Sequence, residues 1–102
     1  MEKKQKKEEL KGFAFDFRTV EIEDIDGKKE MIDISKELGR NMWMNALGED
    51  ELKFGKEIYT SGVVELNRPR AEMAKAAVDK YFRAFVKVSV MPKIEEIINR
   101  LK

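Results

Sequence analysis

The stretch "FAFDFRTVEIEDIDGKKEMIDI", residues 13 to 34, alternates apolar and polar side chains, and from residue 35 the apolar spacing becomes three and four. A period of two puts alternate side chains on opposite faces of a strand, whereas a period near 3.6 makes one stripe along a helix. A chain that changes period once in this way commits to strands first and helices afterwards. The expected fold class is α+β: an N-terminal β-hairpin, extendable to a small three-stranded antiparallel sheet, packed with about four short helices.

Within the strand region Phe13, Phe15 and Phe17 share one face, while Val20 and Ile22 fall on even numbers. That slip of phase near Arg18 and Thr19 calls for a β-bulge or for two short strands meeting at a bend. Asp26-Gly27 is a hairpin signal, because glycine takes a positive φ without a Cβ clash. A two-residue turn sets Ile22 opposite Met31, and a five-residue loop sets Ile22 opposite Ile32 and Val20 opposite Ile34; the residues leave both registers open. "VVEL" at 63 to 66 reads as a third strand able to join this hairpin.

The first helix begins near Ser35, with Asp33 or Ser35 to cap its amides and Gly48 at its far end. At 100° per residue Leu38, Gly39, Met42 and Ala46 cluster inward, Trp43 and Leu47 lie on the border, and Met44 points away. "EDELKFGKEIYTSG" predicts a second helix that stops at Gly62, with Leu52, Gly55, Ile58 and Tyr59 on one face and Phe54 on the other. Asn67 caps a third, with Pro69 in its first turn and Met73, Ala77, Tyr81, Ala84 and Phe85 facing inward, so residues 81 to 91 are expected to be buried. Pro92 is expected to break or kink the chain, and Ile94, Ile97, Ile98 and Leu101 to mark a last helix.

The chain of 102 residues makes one domain, 12 to 102, behind a charged tail, 1 to 11, read as solvated. A formal charge of +1 gives no global pull toward polyanions or an anionic membrane. There is no cysteine and no histidine, which removes thiolate chemistry, the usual neutral-pH base and the commonest metal ligands. Ser35, Ser61 and Ser89 would need activation by lysine and sit in no nucleophile elbow. The acidic patch Glu21, Glu23, Asp24 and Asp26 echoes a calcium loop but would put Ile22 in a ligand position. No enzyme, cofactor or metal site is therefore expected. No apolar run or leader pattern is present either, and the expectation is a cytoplasmic protein with no membrane partner.

Two kinds of contact remain. Phe13, Phe15, Phe17, Trp43 and Met44, with Phe54 and Phe82, are more bulky apolar groups than one small core needs, and nominate the first five as a surface for a protein partner or for self-association. Arg68 and Arg70 open a helix and nominate an anion contact; with nearby lysines they support the alternative of a nucleic-acid-binding accessory protein.

The order "VEIEDIDGKKEMIDISKELGRNMW", then "GKEIYTSGVVEL", then a helix begun by Pro and acid resembles small proteins of Bacteroidetes-type phages, prophages and mobile elements. The resemblance spans about residues 20 to 90. It implies a virion-assembly or regulatory accessory factor and carries no catalytic residue across.

Overall fold

The structure, a computed structural model, describes residues 12 to 101. The expected tail, 1 to 11, lies outside the described residues. In chain order the elements are β1 (Phe13–Asp16), β2 (Val20–Glu23), β3 (Lys29–Ile32), α1 (Ser35–Asn45), α2 (Glu49–Ser61), β4 (Val63–Leu66), α3 (Arg68–Tyr81) and α4 (Ala84–Arg100). The class is α+β, as the change of period requires.

The strands form two antiparallel pairs, not one sheet of three: β2 pairs with β3, and β4 pairs with β1, Phe13 opposite Leu66 and Phe15 opposite Val64. The phase slip is thus a bend between two short strands. Asp16 tightens it, its carboxylate accepting from the Arg18 N-H at 2.9 Å and from Arg18 Nε at 3.0 Å. Phe17, fully buried, joins the two pairs through its backbone: its N-H donates to Gly62 and its carbonyl accepts from Ile34, each at 2.9 Å.

The hairpin takes neither expected register. Val20 faces Ile32 and Ile22 faces Glu30. Three residues, Ile25 to Gly27, cross between Asp24 and Lys28, and Gly27 has φ 85°, the form in which a type I turn is closed by a left-handed residue. Asp24 decides this, because its carboxylate accepts from the backbone N-H of both Asp26 and Lys28 at 2.9 Å.

α1 begins where Asp33 accepts from the Ser35 N-H at 2.8 Å and from its hydroxyl at 2.6 Å. It ends at Asn45, and Gly48, in extended conformation, precedes α2 instead of closing α1. Leu47 consequently leaves the helix and is fully exposed. Gly62, with φ 78°, stops α2 as expected, its N-H returning to the Ile58 carbonyl. Phe54, expected on the outer face of α2, is buried.

α3 starts at an Asn67 cap whose side chain accepts from the Arg70 N-H at 3.0 Å. The chain then breaks at Phe82 and Arg83, not at Pro92, which lies inside α4. Pro92 removes the N-H that would bond the Val88 carbonyl, and it does so on the exposed side of the helix, where Val88 is 70% exposed. The earlier break turns α4 back along α3, where Lys75 pairs with Glu95 at 3.2 Å and Lys87 reaches the Asp79 carboxylate at 3.1 Å and carbonyl at 3.3 Å. Small residues on α3, Ala71, Ala74 and Ala77, with Val78, receive Val86, Val90, Ile94 and Ile98 of α4. The turn also corrects the expected burial of 81 to 91: Ala84 is exposed, as are Phe85 at 52% and Val88.

Candidate functional site

The helical phase of α1 separates three consecutive side chains: Met42 is fully buried, Trp43 is 46% exposed and Met44 73%. Met42 goes inward with Leu38 because α1 lies against α2 there at very close range. A β-carbon at Gly39 would stand 2.6 Å from the Gly55 carbonyl oxygen, and one at Gly55 would stand 2.8 Å from the Met42 β-carbon. No residue but glycine fits this crossing without backbone movement.

Close approach leaves a valley beside it. Trp43 and Met44 from α1 and Tyr59 from α2 rise around a groove of about 440 Å³ with Gly39 in its lining. The walls are apolar, and the charges on them are cationic. Lys36 Nζ sits 4.4 Å from the Tyr59 ring centre and donates to the Tyr59 carbonyl at 2.8 Å, in the last turn of α2 where the helix dipole is negative. Arg40 lies 5.7 Å from the same ring, and Lys56 lies 6.0 Å from the Trp43 ring. Among the described residues none of these three cations has a carboxylate within ion-pair distance.

The aromatic strand lies elsewhere. Phe17 is core, and its ring centre is 4.6 Å from that of Phe15. Phe13 and Phe15 border a smaller groove, about 280 Å³, against Ile97 and Arg100 of α4. The two grooves share no lining residue, so Phe13 and Phe15 do not form one surface with Trp43 and Met44.

The chain matches no family model, no curated protein and no solved structure.

Arg68 and Arg70 part company in the fold. Arg70 is engaged internally: its guanidinium makes two bonds to Glu57, at 2.7 and 3.4 Å, donates to the Glu65 carbonyl at 3.1 Å and stacks 4.9 Å from the Phe54 ring centre. That stack is what covers Phe54. Arg68 stays at the surface, 3.8 Å from Glu72.

Ser35 is buried, its hydroxyl donating to Asp33, and that bond with the Ser35 N-H holds the Asp33 carboxyl below its ordinary value of 3.8. A carboxylate so stabilised is a weak base. In the hairpin, Asp24 is engaged with its own turn, and among the described residues no three acids gather to hold a metal ion. No helix among them is long and apolar enough to cross a membrane.

Beside Leu47, five apolar side chains outside the expected contact surface are exposed: Ile25 at the hairpin tip, fully, Met31 at 63%, Val63 at 39%, Phe85 and Val88. For the last two a signal existed. They stand three apart on α4, out of phase with Val86, Val90, Ile94 and Ile98.

Proposed function

We propose that this is a non-enzymatic protein-interaction or assembly module of the cytoplasm, of the phage or mobile-element kind its motif order resembles, and that it docks through the α1/α2 groove. The single observation behind this reading is Met44, 73% exposed beside Trp43 on an apolar groove. Trp and Met are favoured at adaptable contact surfaces. Burying Met44 fully is worth about 1.5–3 kcal/mol, enough to change affinity by about tenfold or more.

The nucleic-acid reading has less support, since Arg70 would have to abandon Glu57 to meet a phosphate.

The test compares the parent with Met44→Lys and Phe15→Lys in two measurements, mass in solution and recovery of bound protein from a lysate. Met44→Lys is expected to lose what the parent binds, whether that is itself or another protein. A monomeric parent whose bound proteins are unchanged in both variants contradicts the reading.

A further inference from the structure

The α1/α2 groove suits an apolar group carried on negative charge, because its walls are Trp43, Met44 and Tyr59 and the two cations in its lining, Arg40 and Lys56, have no carboxylate within ion-pair distance among the described residues. This chain presents such a group. Ile25 stands at the tip of the β2-β3 hairpin, fully exposed, between Asp24 and Asp26, with Glu23 before them. Lys28 lies opposite Asp24 in the turn and Lys29 begins the returning strand, so in sequence the residues on either side of Ile25 are carboxylates.

We propose that the groove receives the acidic hairpin tip of a second copy, Ile25 entering between Trp43 and Met44 while the Asp26 carboxylate beside it meets Arg40 or Lys56. The inference rests on the reading of the groove as a docking surface and adds its occupant. The turn suits the role: Gly27 and the Asp24 carboxylate fix its shape, so little order is lost when the tip docks.

Tip and groove are different patches, and no hairpin residue lines the groove. The contact is therefore either reciprocal, each tip in the other's groove of a two-fold pair, or head-to-tail, with each added copy offering a fresh tip and a fresh groove. Closed pairs, chains or closed rings result. One side chain and a few charges make a small interface, so association is weak, concentration-dependent and reduced by salt.

The experiment is analytical ultracentrifugation of the full chain as parent, Ile25→Ser, Met44→Glu and an equimolar mixture of the two variants. Both substitutions fall on exposed positions, and circular dichroism of each variant checks that the fold is kept. The parent is expected to reach the mass of a dimer or more as concentration rises, and each variant alone to associate about tenfold more weakly or worse. The mixture is expected to form a dimer and stop there, because only one intact tip and one intact groove can meet. A mixture no larger than its separate components overturns the proposal.

So does Ile25→Ser associating like the parent while Met44→Glu fails, a result that keeps the groove as a contact surface and removes the hairpin as its occupant. A parent that stays monomeric at the highest concentrations also overturns it, and leaves the docking reading to stand or fall on foreign partners.

Discussion

Gly39 of α1 and Gly55 of α2 meet so closely that a β-carbon on the first would lie 2.6 Å, and one on the second 3.1 Å, from the other's carbonyl oxygen. This contact sets the spacing of the two helices, and through it the width of the groove that Trp43 and Tyr59 border.

Gly39→Ala is therefore expected to destabilise, although alanine is the better helix former by about 1 kcal/mol. The methyl group meets backbone that cannot swing aside, and overpacking of that kind costs about 1–3 kcal/mol. Gly48→Ala is the control: its β-carbon meets nothing within 4 Å, and its stability should change by about 0.5 kcal/mol at most. Urea midpoints of the two variants check this; equal midpoints contradict the close crossing.

Asp33→Ala should lower stability by about 1 kcal/mol at neutral pH, the usual net worth of a hydrogen bond such as those it accepts from Ser35, although the cap position itself is Ile34 and carries no side-chain bond. Because the folded-state pKa of Asp33 lies below its ordinary 3.8, the carboxylate's contribution is fully present above that value and is lost as pH falls through the lowered one. The gap between parent and variant should be constant from neutral pH down to about 5 and close below 3.8, measured by urea unfolding at a series of pH values. A gap that widens in acid contradicts the assignment.

Arg70→Ala should cost about 1 kcal/mol through lost bonds to Glu57 and lost cover over Phe54, whereas Arg68→Ala should be nearly silent. Thermal unfolding of both variants checks the contrast. A silent Arg70→Ala would return that side chain to the pool of free anion-binding groups.

What was legible in the sequence is what neighbouring residues decide. The Asp26-Gly27 turn, the Asn67 cap, the Gly62 stop and the outward direction of Met44 each depend on a handful of adjacent positions. Pairing of β1 with β4 joins residues some fifty positions apart, and no local pattern selects it over joining the hairpin. The break at Phe82 and Arg83 lacks any glycine or proline, since packing of α4 against the small residues of α3 makes it, whereas Pro92, the residue type that usually breaks a helix, lies inside α4. Phe54 looked external because its cover, Arg70, comes from another helix. The same holds at the site: Arg40 and Lys56 line one groove only after α1 and α2 have been folded together.

Trp43 is the chain's one tryptophan and borders the groove, so its emission reports directly on whether that groove is where contact occurs. Fluorescence recorded alongside mass, from dilute solution upward in concentration and then with any bound partner, should begin red-shifted, as a half-exposed indole requires, and move to the blue as mass rises. Met44→Lys should hold the red emission throughout. Emission that stays unchanged while the parent gains mass, or that is already blue in the dilute monomer, would contradict the account.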